Sequence, residues 1–196
     1  MLIRNGWVSN SSSSSFVVIY SSKDDFKGIS LIEGYRFLMH DLDEDIGADA
    51  AVSIFSGLLE DTLYRVFFQL CDGNYNPAED RDDIELNKLA WDLDVDYTPY
   101  NSLVTELYTR SLLYAESKDK SEYRKWYKDE FINKASVVIE ELAKKLVEAV
   151  TTSGRKVGCV EYCDHNKVGD YMEHHFMPWI ANNPDRTYAI IRHNGH

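Results

Sequence analysis

The chain has 196 residues, 44% of them hydrophobic and 13% aromatic, which supports one folded core and excludes a disordered tail protein. Its formal net charge is −12, which disfavours direct binding to nucleic acid. No apolar run reaches the roughly 18–20 residues of a membrane helix, no secretory signal precedes the serines, and three cysteines are too few for a disulfide scaffold. We therefore expect a cytoplasmic protein.

The first notable segment is a run of five serines between apolar residues. Ser11 to Ser15 lie between Trp7-Val8 and the strand-like run 16–20. Because Trp7 and Phe16 gain free energy by leaving water, we expect the serines to form a packed loop between two strands. Successive N–H groups and hydroxyls in such a loop make an anion-binding candidate of Ser11, Ser12, Ser13 and Ser14.

The same residues carry a resemblance. Gly6-Trp7-Val8-Ser9-Asn10, the five serines and Phe16 resemble a leader, G-(F/W)-V-S-N-S-S-S-S-S-F, found on uncharacterised proteins of bacteria and their phages. The resemblance implies a phage or mobile-element origin and the cytoplasm of a bacterial host. Proteins of that kind often act by binding a host enzyme or defence complex, an association with origin and not a mechanism.

A change of period marks the first helix. From Asp45 to Leu70 apolar residues recur every three or four positions, as on one face of a helix. Asp45 or Asp49 is expected to cap its first N–H groups. Gly73 suits the left-handed residue that ends many helices.

Two shorter helices are predicted next. One covers residues 84–91, and the other runs from about Leu103 to Ala115. Between them we expect a break at residues 97–100, because Pro99 disfavours helix just before it.

The strongest helical signal runs from about Ser121 to Thr152 and closes at Ser153-Gly154. Lysines and glutamates on its other side predict a solvated, ion-paired face. The predicted apolar stripe consists of Tyr123, Trp126, Tyr127, Phe131, Val137, Val138, Leu142, Leu146, Ala149 and Val150.

Strands are predicted again at residues 156–162 and 187–192, which are rich in Val, Ile and Tyr. Strands at both ends and helices between them predict an α+β fold, in which a small sheet from the N- and C-terminal strands packs against a helical middle. We expect a single domain over residues 1–196, with a mainly helical acidic insertion or subdomain around residues 41–115.

The negative charge is concentrated in one segment. Residues 41–96 contain sixteen acidic and three basic residues, whereas the rest of the chain has a net charge of +1. Local acidity of this kind either coats a solvated helical surface or attracts a basic partner. We favour an interaction protein that binds and modulates or inhibits a host protein through its basic, nucleic-acid-binding surface. The candidate partner-binding residues are Asp41, Asp43, Glu44, Asp45, Asp80, Asp82, Asp83, Asp92, Asp94 and Asp96.

A polar cluster near the C-terminus suggests an alternative function. Carboxylates beside histidines act as acid and base near neutral pH or bind a divalent ion. The alternative is therefore a metal-assisted hydrolase or nucleotide-handling enzyme, although no nucleophile motif accompanies the cluster. Its catalytic candidates are Asp164, His165, Glu173, His174 and His193.

Cysteines and histidines in the same region are candidate zinc ligands. The set comprises Cys159, Cys163, His165 and His174. It requires a turn between the two cysteines, because on an extended strand their sulfurs lie about 13 Å apart. We expect no cofactor, with zinc or another divalent metal as the alternative.

Overall fold

The computed structural model of the chain describes residues 13–21, 46–73, 75, 81–115, 120–163 and 190–194. The chain divides into two compact units, one formed by Met1–Ile46 with Gly154–His196 and the other by Gly47–Ser153. The fold is α+β, as the order of elements predicted. Within the described residues no helix is both long and apolar enough to cross a membrane. The assignment of a single domain stays a prediction.

The first unit contains a three-stranded antiparallel sheet within the described residues. Its strands are β1 (Ser13–Tyr20), β2 (Lys156–Cys163) and β3 (Ile190–Asn194), in the order β2-β1-β3. β1 pairs with both neighbours, and its residues Val17, Val18, Ile19 and Tyr20 are all buried. Consecutive buried residues are typical of a strand that is covered on both faces. The sheet of N- and C-terminal strands is therefore confirmed.

The serine run differs from its prediction. Ser13, Ser14 and Ser15 belong to β1 and pair with Cys163, Tyr162 and Glu161 of β2. The prediction of a packed loop is wrong for these three residues, because strand pairing gives their backbone a partner that serine composition alone does not reveal. Ser11, Ser12 and the predicted strand around Trp7 lie outside the described residues.

The second unit begins with α1 (Ala48–Asp72), which confirms the first predicted helix. Its buried stripe consists of Ala51, Phe55, Leu58, Leu59, Thr62, Leu63, Val66, Phe67 and Cys71. The N-cap residue is Gly47, which offers no side-chain cap; Asp49 lies inside the first turn, so its predicted capping role is wrong. A carboxylate there still favours the positive end of the helix dipole. Asp45 lies outside the described residues.

The next two helices are α2 (Arg81–Asp92), close to its predicted bounds, and α3 (Thr98–Ala115), which ends as predicted but begins five residues before the predicted start at Leu103. The predicted break at residues 97–100 is wrong for residues 98–100, which form the first turn of α3. Pro99 is tolerated there because the N–H groups of a first turn have no partner within the helix. α3 is held to α1 by the buried Tyr100, whose hydroxyl donates to the Leu59 carbonyl at 3.0 Å.

The long helical run is divided into three parts. α4 (Lys120–Trp126) continues through a π-helical segment (Tyr127–Phe131) into α5 (Ile132–Thr152), after which Gly154 adopts a φ of 75°. The predicted uninterrupted helix is therefore wrong in the π-helical segment. Val137, which the sequence predicts on the buried stripe, is 58% exposed, so this prediction is wrong. The prediction of an ion-paired outer face is supported by the pair Lys144–Glu140.

Aromatic rings form the interior beside the π-helical segment. Phe67 of α1 stacks on Tyr127 with ring centroids 3.8 Å apart, and Tyr123 stacks on Trp126 at 5.8 Å. The Tyr123 hydroxyl donates to the Leu107 carbonyl at 3.0 Å, which ties α4 to α3. Burial raises the pKa of both Tyr123 and Tyr127 well above the ordinary value, so both phenols stay neutral at physiological pH.

Candidate protein-binding site

The candidate site is the end of α2 and the turn that follows it. We call residues 91–96, with the sequence Trp-Asp-Leu-Asp-Val-Asp, the acidic loop. It contains three of the predicted partner-binding residues, Asp92, Asp94 and Asp96, and all three are exposed. The neighbouring residues Leu89, Ala90 and Tyr97 are buried, so the loop is anchored on both sides.

Backbone hydrogen bonds fix the conformation of the acidic loop. The Val95 N–H donates to the Ala90 carbonyl at 2.8 Å, and the Asp94 N–H donates to the Trp91 carbonyl at 3.1 Å. These two bonds are the 6→1 and 5→2 pair of a Schellman motif, which closes a helix with a left-handed residue. The side chains of the loop are therefore presented on a closed and hydrogen-bonded turn.

Asp94 is the left-handed residue of this motif. Its φ is 56°, and it is the only non-glycine residue with a positive φ in the part of the chain that the structure describes. Glycine is the usual residue at this position, because a Cβ crowds the backbone there; Asp is among the few residues that tolerate it. The loop thus carries a carboxylate where the backbone alone favours glycine.

Asp96 caps the following helix. Its carboxylate accepts a hydrogen bond of 3.0 Å from the Thr98 N–H. The hydroxyl and the amide of Thr98, together with the positive charge of Lys145, hold the pKa of Asp96 below its ordinary value. Asp96 therefore has a structural role at the start of α3, and its predicted part in a binding surface stays a prediction.

Trp91 is the residue that the sequence analysis missed. It is 84% exposed, more than any other large hydrophobic residue described. Its neighbours Leu86, Leu89 and Ala90 form the buried face of α2. The spacing of the buried residues could have revealed the exposure of Trp91. It follows Ala90 by one position, and a rotation of about 100° carries it off the buried face.

The charges of the acidic loop add to the dipole of α2. Asp92 is the last residue of the helix, Asp94 follows it, and the last turn has no basic residue. A helix C-terminus carries a partial negative charge, so carboxylates there raise the local negative potential instead of cancelling it. The exposed Trp91 therefore belongs to the helix end at which this negative potential is concentrated.

The remaining acidic candidates are distributed differently. Asp82 and Asp83 lie in the first turn of α2, about 15 Å along the helix axis from Asp92, and their side chains are outside the described part of the structure. The other candidates lie outside the described residues altogether; they are Asp41, Asp43, Glu44, Asp45 and Asp80. A single face containing all ten residues stays a prediction.

The zinc and anion candidates do not fit the observed strands. Cys159 and Cys163 both lie in β2, whose backbone runs without the turn that the zinc candidate requires between them. Ser13 and Ser14 have extended backbone in β1, which differs from the concave turn of an anion-binding nest. Among the described residues, no group of three or more His, Cys, Asp or Glu is placed to hold a metal ion.

The catalytic candidates are described only at one position. His193 lies in β3, where it is opposite Ser15 of β1. Asp164, His165, Glu173 and His174 lie outside the described residues, so the C-terminal cluster stays a prediction. Comparison of the chain with protein-family models, with curated proteins and with solved structures finds no match.

Proposed function

We propose that the protein is an interaction protein whose acidic loop binds a basic surface on another protein. The observation that carries the proposal is the exposed Trp91 beside Asp92 and Asp94 on a hydrogen-bonded turn. Large aromatic residues with charged neighbours are frequent hot spots of protein interfaces, because the ring buries much area and the charges select the partner.

The chemistry of the loop selects a cationic partner. An arginine or lysine over the indole face gains a cation–π interaction of about 0.5–2 kcal/mol. The carboxylates of Asp92 and Asp94 offer acceptors to the same cation or to its neighbours, and arginine uses two of them at once. Attraction between opposite charges also speeds the encounter and makes it dependent on ionic strength.

Stability alone does not account for these residues. Both carboxylates lie at the negative end of α2, and Asp94 occupies a position that glycine fits better. Residues that oppose local stability are frequent at functional sites, because they are retained for another purpose. The acidic loop has this character, whereas Asp96 has a capping role of its own.

The leader and the charge support a class of partner. Residues 6–16 resemble the leader of bacterial and phage proteins, which supports a bacterial host as the source of the partner. A basic surface attracts nucleic acid, because its positive charge neutralises phosphates. We therefore propose that the chain occupies the nucleic-acid-binding surface of a host protein and thereby modulates or inhibits it.

The experiment compares two charge-reversal variants of the full chain that carry the same net charge. One variant has Asp92→Lys and Asp94→Lys; the control has Glu141→Lys and Glu148→Lys, two exposed residues of α5. Each immobilised protein is incubated with heparin-binding proteins of a bacterial lysate. We expect the wild type and the control to retain the same protein, the loop variant to lose it, and duplex DNA to displace it.

Trp91→Ala separates the ring from the charge. We expect the affinity for the retained protein to fall at least about tenfold, as for an aromatic hot spot. Because Trp91 is exposed, its removal leaves the free energy of unfolding nearly unchanged. Retention by the loop variant equal to that of the control, or failure of DNA to compete, contradicts the proposal.

A further inference from the structure

The exposed side of α1 carries a regular pattern of acidic and aromatic residues. Four exposed residues follow each other there at intervals of four positions: Glu60, Tyr64, Phe68 and Asp72. Residues four positions apart are neighbours on a helix surface, so the four form one continuous row about 18 Å long. We call this row the α1 stripe. Two aromatic rings lie at its centre, and one carboxylate residue lies at each end.

The two aromatic rings of the α1 stripe are exposed but held in place. Tyr64 is 52% and Phe68 is 47% exposed, and their ring centroids are 5.0 Å apart. Phe67 contacts Phe68 edge-on at 6.2 Å, and Tyr127 of the π-helical segment lies 6.5 Å from Tyr64. Phe67 and Tyr127 are both buried. Rings that are already ordered lose little conformational freedom on binding, so the exposed pair is a preorganised apolar contact.

The carboxylates at the ends of the α1 stripe define the charge of its occupant. Asp72 is the last residue of α1, whose last turn has no basic residue, so its charge adds to the negative end of the helix dipole. Glu60 is followed by a further exposed acid, Asp61, and the only basic residue of α1, Arg65, is half-buried. The stripe therefore attracts cations at both ends and apolar side chains between them.

A second exposed apolar pair lacks this charge pattern. Tyr108 and Leu112 of α3 are 48% and 53% exposed and also lie four positions apart. One turn before Tyr108 the residue is Val104, where the α1 stripe has a glutamate. The pair on α3 offers a similar apolar area without an acid at that end, so it provides a matched control.

We propose that the α1 stripe binds an amphipathic helix of another protein, in which two apolar residues lie between two basic ones at the same spacing. Such a helix, laid along α1, places its cations beside Glu60 and Asp72 and its apolar residues on the two rings. Arginine adds paired hydrogen bonds to a carboxylate. The stripe belongs to a different helix from the acidic loop, so this proposal does not rest on the proposed function.

A helical peptide tests this occupant on the full chain. The probe is an alanine-rich peptide of about four turns, with arginine, leucine, leucine and arginine at successive intervals of four positions and a fluorophore at one end. A scrambled peptide has the same composition, but its leucines lie on the face opposite its arginines. We expect the first peptide to bind at least about tenfold more tightly by fluorescence anisotropy. No binding, or equal binding of both peptides, overturns the proposal.

Two double variants locate the binding surface. Tyr64→Ser with Phe68→Ser is expected to weaken peptide binding at least about tenfold, whereas Tyr108→Ser with Leu112→Ser leaves it unchanged. An equal loss in the α3 variant overturns the assignment to α1. A wild-type dimer that the α1 variant fails to form, detected by sedimentation without peptide, identifies a second copy as the occupant and also overturns the proposal.

An exchange of charges tests the ends of the α1 stripe. Glu60→Arg with Asp72→Arg should weaken binding of the arginine peptide at least about tenfold, and a peptide with glutamates in place of the arginines should bind this variant better than the wild type. Asp92→Lys with Asp94→Lys, in the acidic loop, should change the affinity for the arginine peptide by no more than about twofold at physiological salt. Failure of the exchanged pair to bind, or the same loss in the loop variant, overturns the proposal.

Discussion

Two helices of the protein end in the same way but with different residues. The left-handed residue that closes α1 is Gly73, with a φ of 74°, and the one that closes α2 is Asp94, with a φ of 56°. In both cases a left-handed residue lets backbone N–H groups reach carbonyls of the last turn. Gly73 is what the backbone geometry favours, whereas Asp94 adds a Cβ and a negative charge that this geometry does not require.

The difference shows that backbone geometry accounts for the residue at one helix end and not for the residue at the other. At Gly73 a Cβ atom has open space around it, so the preference for glycine comes from φ alone. At Asp94 an aspartate occupies the left-handed position that favours glycine. Trp91, three residues before it, is exposed. The comparison therefore separates a structural turn from a turn that presents side chains.

The largest expected effect is at the structural turn. Gly73→Ala forces an alanine into the left-handed region, and we expect it to lower the free energy of unfolding by about 1–2 kcal/mol. Gly57→Ala, within the same helix and also with open space for a Cβ, is the control and is expected to raise it by about 0.5–1 kcal/mol. Urea denaturation measures both, and equal effects contradict the role of φ.

The opposite change at the other turn is expected to stabilise the protein. Asp94→Gly relieves the left-handed strain and removes one charge, so the free energy of unfolding should rise by about 0.5–1 kcal/mol. At the same time the variant should bind the basic partner more weakly. Asp94→Asn, which keeps a residue that tolerates this φ, should weaken binding with little gain in stability. A variant that gains stability and keeps full affinity removes Asp94 from the binding surface.

A smaller effect is expected from the helix dipole. Asp92→Lys places a cation at the negative end of α2 and should stabilise the protein by about 0.3–1 kcal/mol at low salt. Asp49→Lys, in the first turn of α1, is the reverse case and should destabilise it by a similar amount. Both effects on stability should be smaller at high salt, because exposed charges are screened. Thermal denaturation at two salt concentrations gives the comparison.

The smallest expected effect is the pH dependence of the stability that Asp96 contributes. Its pKa is lowered in the folded state, so the stability it contributes is present above the unfolded value near 3.9 and is lost as the pH falls through the folded value. Asp96→Asn keeps an acceptor for the Thr98 N–H but does not titrate. The stability difference between wild type and Asp96→Asn, measured by urea denaturation, should shrink below about pH 4. A difference that is constant with pH contradicts this account.

The sequence was sufficient to predict an element where a local sequence pattern agreed with the packing of the folded chain. Periodicity located α1, and Gly73 marked its end, because a long amphipathic stripe and a left-handed glycine are strong signals. The serine run shows the opposite case. Ser13 to Ser15 look like a loop by composition, but β2 and β3, distant in sequence, supply the hydrogen bonds that make them a strand.

The candidate site was predicted only in part, for a similar reason. Charge counting identified the segment containing Asp92, Asp94 and Asp96, but it cannot distinguish a carboxylate that caps a helix from one that faces a partner. That distinction depends on Thr98 and on Lys145, which comes from another helix. Charge counting does not reveal Trp91, because tryptophan carries no charge and is highly buried on average.

The error at Val137 has a specific cause. It lies fourteen residues after Tyr123, about four turns of an α-helix, so an uninterrupted helix places both on one face. The buried residues observed instead are Ala135 and Ile139. The π-helical segment contains the wider turn that displaces the stripe by one position, and a period of three or four residues does not reveal it.

The π-helical segment limits how the length of this helix can change. One residue corresponds to a rotation of about 100°, so a chain shortened by one amino acid within Tyr127–Phe131 regains plain α-helix and turns every downstream residue by that angle. Ala143 and Leu146 would then leave the interior, and lysines of the outer face would replace them. Single-residue length changes should thus be tolerated far less well here than in the connections between helices.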